Sequence, residues 1–429
     1  MKKSIAPAQE LLHRIAALLL YQSTLKGEAG QAFVALLQAI VRTEQSSDHC
    51  LDCVQTYGRW FRAIAAQNQT WQDYLVTQIL RDENPFTQQA QRAPSADLSP
   101  ALLKATRHDL QILQQLAQSD RHLNLWVQQV CGLENAPIAW SVPTTDSFFP
   151  TSADWSKGLA LLGRHYYQQG TGVFAFQALR WQCGQLVGIA NPDSVAVAHL
   201  IGYEAQKSAL IQNTEFLMKG LSALHVLLYG SRGSGKSSLV KGLLHQYGAM
   251  GLRLIEVTKA DLVALPTIVD RLRDLPQKFI IFVDDLSFEE DEDAYKALKV
   301  VLEGNLTARP QNVIVYATSN RRHLIREFFG DRPQPRNADE VHTWDTVQEK
   351  LSFSDRFGLT LTFEPADQLT YLTIVQHLAA QAELGLEQAD LEHRALQWAT
   401  RHNGRSGRTA RQFVDFLQAE LALPRAESA

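Results

Sequence analysis

Apolar and polar positions along this chain follow two different periods. From residue 1 to about 135, apolar side chains recur at three- and four-residue spacing, the repeat of one buried helix face. Leu103, Thr106, Leu110, Leu113 and Ala117 trace such a face; similar patterns occupy 8–25 and 31–43, with a weaker one at 68–80. Asn84-Pro85 and Ala93-Pro94-Ser95 punctuate them as loops. Residues 135–155, rich in proline, serine and threonine, read as linker or irregular loop, and two further helical patterns end near Trp181. No repeat period is strong enough for a solenoid.

After about residue 196 the pattern changes. Short β-branched runs at Leu224–Tyr229, Leu252–Val257, Phe279–Val283, Val313–Ala317 and Leu359–Phe363 are almost wholly apolar, and a helical pattern separates each from the next. That alternation predicts a parallel sheet covered by helices on both faces. The strands stop after Pro365, and 367–421 predicts three helices, with Leu369, Leu372 and Val375 opening one apolar stripe. The expected organisation is a mainly α-helical N-terminal domain (1–195), a three-layer α/β core (196–365) and a C-terminal helical lid (366–429).

The chemistry lies in the second part. Gly230-Ser231-Arg232-Gly233-Ser234-Gly235-Lys236-Ser237 fits GxxxxGK[ST] between an expected strand and an expected helix, with Ser238 continuing into that helix. Glycines let such a loop fold into a nest of N–H groups at a helix N-terminus; Lys236 can reach the β- and γ-phosphates, and the Ser237 hydroxyl can ligate Mg²⁺. The strand Phe279–Val283 runs into Asp284 and Asp285. Asp284 suits Mg²⁺ held through water, and Asp285 stands where many ATPases place a Glu that polarises the attacking water; one methylene fewer argues for slower turnover. The alternative is that both acids merely cap the next helix. The acid-rich run to Asp293 reads first as a solvated helix start, otherwise as a backup base at Glu289 or a docking patch for a basic partner. Thr318-Ser319-Asn320 ends the next strand and can present the Asn320 amide beside the γ-phosphate, though such residues also make plain turns. Arg356, in Ser354-Asp355-Arg356-Phe357-Gly358, and Arg408, in Gly404-Arg405-Ser406-Gly407-Arg408, offer guanidinium forks for phosphate oxygens, the alternative being ordinary surface ion pairs.

Composition adds limits. A chain of 429 residues is too long for one core and implies two or three domains. The net charge is −4, and residues 1–199 carry equal numbers of basic and acidic residues, so charge gives no footprint for nucleic acid without excluding it. The run Ile15–Tyr21 is far too short to cross a bilayer, and the expectation is a cytoplasmic protein. Four cysteines make no disulfide framework; Cys50 and Cys53, after His49, form a CxxC that offers half of a zinc site or a redox pair, but with Cys131 and Cys183 lone and distant the favoured reading is two small apolar positions near the end or start of a helix.

Taken in order, the strand–P-loop–helix, the acid pair, the polar strand end, Asp355-Arg356-Phe357-Gly358 and the Gly-x-x-Arg helical cap resemble the AAA+ ATPases. Leu200-Ile201-Gly202-Tyr203-Glu204 looks like the segment that flanks the adenine in that superfamily. More narrowly, Asp284-Asp285-Leu286-Ser287-Phe288-Glu289, Ala317-Thr318-Ser319-Asn320-Arg321-Arg322-His323 and Gly404–Phe413 are similar to a bacterial family of predicted AAA+ ATPases of unsettled function. The resemblance spans about 150–421 closely. It implies ATP and Mg²⁺ as ligands and Lys236 and Ser237 as Walker A residues. Asp284 and Asp285 become the Walker B pair, Asn320 sensor 1, Arg356 a finger offered to a neighbouring copy, and Arg408 sensor 2, with Gly202 and Tyr203 beside the base. It also implies a homo-oligomeric ATP hydrolase acting on a macromolecular partner, a protein first of all. No aromatic-hydrophobic-Gly pore loop precedes the third strand, where Leu275-Pro276-Gln277 intervenes, so protein threading has little support. Two other readings remain open: a slow nucleotide switch or scaffold, and a P-loop small-molecule kinase.

Overall fold

The computed structural model describes residues 6–92, 98–143, 147–150, 153–193, 196–197, 200–287, 293–303, 309–320, 352–402 and 404–422. The chain divides into two compact units, Met1–Ala175 and Phe176–Ala429.

The first unit is helical. Its α-helices are α1 (Ala6–Ala16), α2 (Glu28–Gln45), α3 (Cys50–Gln67), α4 (Trp71–Arg81), α5 (Pro85–Arg92), α6 (Pro100–Cys131) and α7 (Leu159–Gln169). The face read from α6 is real: Thr106, Leu110, Leu113 and Ala117 are all buried. Trp71 organises the centre, stacking on Phe33 at 4.4 Å between ring centroids and donating its indole N–H to Leu116 O at 2.9 Å. Asp109 is fully buried on α6, yet its carboxylate accepts the backbone N–H groups of Leu19, Leu20 and Tyr21 at 2.7–3.0 Å. Those bonds replace the water it gave up.

The second unit opens with a hairpin, β1 (Ala178–Gln182) and β2 (Gln185–Ile189), where a helical pattern was expected. Trp181 and its neighbours on β1 alternate between buried and exposed because β1 pairs in parallel with β4 (Leu252–Glu256), which gives it a sheet neighbour that no local pattern records. Since the hairpin joins this sheet, the contact boundary falls at 175/176, ahead of the expected 195/196. The remaining strands are β3 (Val226–Gly230), β5 (Lys278–Val283), β6 (Val313–Ser319) and β7 (Leu359–Phe363), giving the order β2-β1-β4-β5-β6-β3-β7. Every pairing is parallel except β1–β2, so the sheet is mixed at one edge. β5 and β6 are buried almost throughout, as a central strand covered on both faces must be.

The helices of this unit are α8 (Glu204–Met218), α9 (Lys236–Tyr247), α10 (Leu265–Leu272) and α11 (Asp293–Glu303), followed by three helices with their own apolar cluster: α12 (Gln368–Gln381), α13 (Gln388–Arg401) and α14 (Gly407–Ala422). The lid stripe is displaced from the expected one. Leu369 is 75% exposed, whereas Tyr371, Ile374, Val375 and Leu378 face α13 and α14. Among the described residues, no helix is long and apolar enough to cross a membrane. The second unit is therefore a three-layer α/β core with three further helices after β7, and the first unit is helical.

His225, just before β3, is buried, and its Nδ1 accepts the Val315 N–H at 2.9 Å. Burial, reinforced by Arg309, pushes its pKa down from 6.5 to about 3. The folded ring therefore stays neutral while the unfolded chain takes up a proton below about pH 6.5. Its contribution to stability is complete above that pH and is lost as pH falls toward 3, at about 1.4 kcal/mol per unit. Urea unfolding between pH 7 and 4 should show this decline, and His225→Gln, which keeps an acceptor for Val315, should flatten it.

Candidate functional site

The loop between β3 and α9 is shaped by its glycines. Gly230, Gly233 and Gly235 have φ of +137°, +75° and +88°, which L side chains rarely adopt. Gly230 has a second reason. A Cβ there would lie 1.9 Å from Phe363 O on β7, the same carbonyl that accepts the Ser231 N–H at 2.9 Å. Around Gly235 the space is open, so only its left-handed backbone demands glycine.

Lys236 begins α9 with 6% of its surface exposed. Its ammonium donates to Gly230 O at 3.0 Å and Ser231 O at 2.6 Å, and lies 3.4 Å from both Ser234 Oγ and Asn320 Oδ1. Burial pushes its pKa down, while the charges of Asp284 and Asp285 oppose that shift. Because its close partners are neutral carbonyls, the positive charge is left without a direct counter-ion in the loop.

The acids arrive from β5. The register Val283↔Ala317 sets the ends of β5 and β6 side by side. Asp284 Oδ1 accepts the Ser237 hydroxyl at 2.6 Å and the Thr318 hydroxyl at 2.5 Å. Asp285 adopts φ +53°, a conformation that Asp tolerates better than most residues. Its N–H donates to Thr318 Oγ1 at 3.0 Å, and its carboxylate accepts the Asn320 amide at 2.6 Å. Asn320 thus links the lysine to the second acid. Hydroxyl and carboxylate oxygens meeting at Ser237 and Asp284 are the hard donors that Mg²⁺ takes, so the residues fit that ion beside a polyphosphate.

From the lid, the Arg408 N–H donates to Gly233 O at 3.2 Å. Tyr203 caps α8 at φ +59°, donates its hydroxyl to Glu364 O at 2.5 Å and lies 5.0 Å from the Phe363 ring. These parts enclose a cavity of about 900 Å³. Its lining includes Gly202, Tyr203, Arg232, Gly233, Ser234, Gly235, Lys236, Ser237 and Ser238, together with Asp284, Asp285, Asn320 and Arg408. Gly230 and Ser231 stand behind that lining and hold the Lys236 ammonium.

Arg356 is not part of the lining. It ends a 3-10 turn (Ser352–Arg356), its side chain is 17% exposed, and its Nε donates to Glu303 at the end of α11. Glu289 and the segment 321–351, which includes Arg321-Arg322-His323, lie outside the described residues. The structure also adds residues to the site. Arg411 lines the cavity one helical turn after Arg408, a spacing legible in Arg408-Thr409-Ala410-Arg411. Lys207, paired with Glu204 at 2.8 Å, lines it one turn after Tyr203. Thr318 ties the two acids together, a role that no motif signals.

The family model described as "Protein of unknown function (DUF815)" matches residues 174–421. The chain belongs to that family. The match begins where the second unit begins and ends within α14, so the DUF815 segment of this chain is the P-loop core with its lid. No curated protein matches the chain in sequence. Among solved structures it is similar to the Thermotoga maritima RuvB Holliday junction branch migration motor, at 16% identity over 53% of this chain and a TM-score of 0.37. A point mutant of that motor gives 16% identity, 53% coverage and a TM-score of 0.38. This chain spans 65% of the first of these structures and 66% of the second.

Two substitutions separate loop shape from loop strain. Gly235→Ala should cost about 1–2 kcal/mol through its left-handed backbone alone. Gly230→Ala adds the clash with Phe363 O and should cost about 1–3 kcal/mol more. Thermal unfolding of the two variants should rank them in that order, and equal losses would contradict the packing of β3 against β7.

Proposed function

We propose that this DUF815 chain binds Mg·ATP in the cavity and hydrolyses it, coupling the cycle to remodelling or recruitment of a macromolecular partner. The observation that carries the reading is the chain of contacts from Lys236 through Asn320 to Asp285, with Ser237 and Thr318 on Asp284. One lysine, two acids and a polar strand end are already tied together inside a cavity of nucleotide size.

Each residue then has a defined task. The loop N–H groups and the Lys236 ammonium hold the β- and γ-phosphates. Ser237 and Asp284 hold Mg²⁺, whose charge when bound would offset that of the phosphate oxygens. Asp285, steadied by the Asn320 amide, orients a water for attack on the γ-phosphorus and takes up its proton. Arg408 and Arg411 bring guanidinium groups from the lid toward the charge that builds on the transferred phosphoryl group. Ile201, Gly202 and Tyr203 lie where the base would stack. Arg356, held by Glu303 in its own chain, would act on the site of a neighbouring copy in a homo-oligomer, and the helical N-terminal unit would select the partner. A soluble, cytoplasmic protein suits this role.

Titration calorimetry with Mg·ATP tests the binding step. Lys236→Ala should weaken binding roughly 100-fold, about 2.8 kcal/mol, by removing a charge-assisted contact. Arg356→Ala should leave that affinity unchanged while lowering steady-state turnover at concentrations where the chain assembles. Unaltered ATP binding by a folded Lys236→Ala variant would remove the basis of the reading.

One observation favours a slower, switch-like cycle. The Asp285 carboxylate is shorter than a glutamate and already accepts the Asn320 amide, which reduces its freedom to reach a water. Single-turnover hydrolysis should therefore rise roughly tenfold or more in Asp285→Glu if the wild-type residue is a poorly placed base. No gain, with Asp285→Ala inactive, would show Asp285 to be adequate as it stands.

A further inference from the structure

Three of the four cysteines meet at one point in the helical unit. Cys50 is the first residue of α3, Cys53 lies one turn further along it, and Cys131 is the last residue of α6. Although 81 residues apart in sequence, Cys50 and Cys131 face each other. Cys50 Sγ is 3.6 Å from Cys131 O, and Cys131 Sγ is 3.5 Å from Cys50 O. Cys53 stands close enough to the Cys131 thiol for each to influence the other's titration. In sequence Cys131 is lone and distant; only the packing of α6 against α3 brings it to the CxxC.

Metal binding is the first alternative for such a cluster. Among the described residues, however, no group of three or more His, Cys, Asp or Glu is arranged to hold a metal ion. All three cysteines are free thiols; Cys53 is fully buried, whereas Cys50 and Cys131 keep partial exposure. Burial pushes the Cys53 and Cys131 thiols up, so both stay protonated near neutrality. Cys50 differs in standing on the first turn of a helix, where backbone N–H groups lack intrahelical partners. The arrangement thus offers an accessible sulfur for oxidation, a second sulfur to resolve it, and a third sealed from reagents.

We propose that Cys50 and Cys131 form an oxidation site that closes an intramolecular disulfide when the chain meets a hydroperoxide. Cys50 sulfur attacks the peroxide oxygen, breaking the O–O bond; Cys50 becomes a sulfenic acid and, for hydrogen peroxide, one water leaves. Cys131 sulfur then attacks the Cys50 sulfur, the S–O bond breaks, the Cys131 proton goes to the departing oxygen, and a second water leaves. Two thiols are oxidised by two electrons and one peroxide is reduced. The reciprocal contacts hold each sulfur within 3.6 Å of the other residue's carbonyl oxygen, so the two side chains share one contact between the helix ends. The bond joins the start of α3 to the end of α6, and it restricts the unfolded chain over the long loop between them. Cys53 remains a thiol behind them.

The test uses the reduced full chain treated with stoichiometric hydrogen peroxide. Non-reducing proteolysis and mass spectrometry should find a Cys50–Cys131 linked peptide within one chain, with Cys53 still alkylated after denaturation. The helical unit should melt roughly 5 °C or more higher than in the reduced protein. Cys131→Ser should abolish the link and leave Cys50 as a sulfenic acid trapped by dimedone, whereas Cys183→Ser should change nothing at this site. Oxidation confined to Cys183, the exposed cysteine of the β1–β2 turn, would overturn the proposal. So would stoichiometric zinc binding that protects all three thiols from peroxide.

Discussion

A buried ammonium with no bonded carboxylate among the described residues is the constraint around which the candidate site is organised. Taking the Lys236 charge out of water is costly, and its surroundings answer with two backbone carbonyls instead of an ion pair. Carbonyl dipoles stabilise the cation while leaving its net charge available to an anion. They can do so only because the loop bends back on itself at Gly230, which needs a backbone that no other residue supplies beside Phe363 O. The glycine pattern and the lysine therefore express one requirement.

Strand order supplies the other half. β6 lies between β3 and β5, so the carboxyl ends of the phosphate-loop strand and the acid strand flank Thr318-Ser319-Asn320. A side chain there can touch both, and Asn320 does. Its oxygen approaches Lys236 and its amide holds Asp285. Thr318 performs the matching task for the acids, accepting from the Asp285 backbone and donating to the Asp284 carboxylate. Positions that look like ordinary turn residues become the crosslink between the loop lysine and the two acids.

The P-loop unit was largely legible in the sequence because its signals are local. The five expected strands stand near their apolar runs, and the glycines, Lys236, Ser237, Asp284 and Asp285 take their character from immediate neighbours. What escaped depends on distant partners. β1 carries a helix-like pattern that becomes a strand only when it pairs with β4. Leu369 looked like the start of the lid stripe, yet Tyr371 and Ile374 face the other lid helices, because the phase of α12 is set by where the chain leaves β7. Cys131 acquires a role only through the packing of two helix ends. Arg356 shows the opposite case. Its motif is local, but Glu303, to which it donates, belongs to another element and gives the guanidinium a resting place away from its own cavity.

One backbone contact couples the loop to the helices that follow the sheet. Arg408 contributes through its backbone as well as its side chain, since its N–H rests on Gly233 O in the middle of the phosphate loop. The first turn of α14 packs so closely there that Ser406 Oγ would lie 2.8 Å from any Cβ at Gly233. A phosphate gripping the loop N–H groups must act on the peptide units that this contact uses. Any rotation at Gly233 therefore shifts the start of α14, and α14 packs with α12 and α13 as one apolar cluster that cannot deform piecemeal. The Gly233 carbonyl is thus common to both elements, and a change of the loop backbone at Gly233 acts directly on the start of α14.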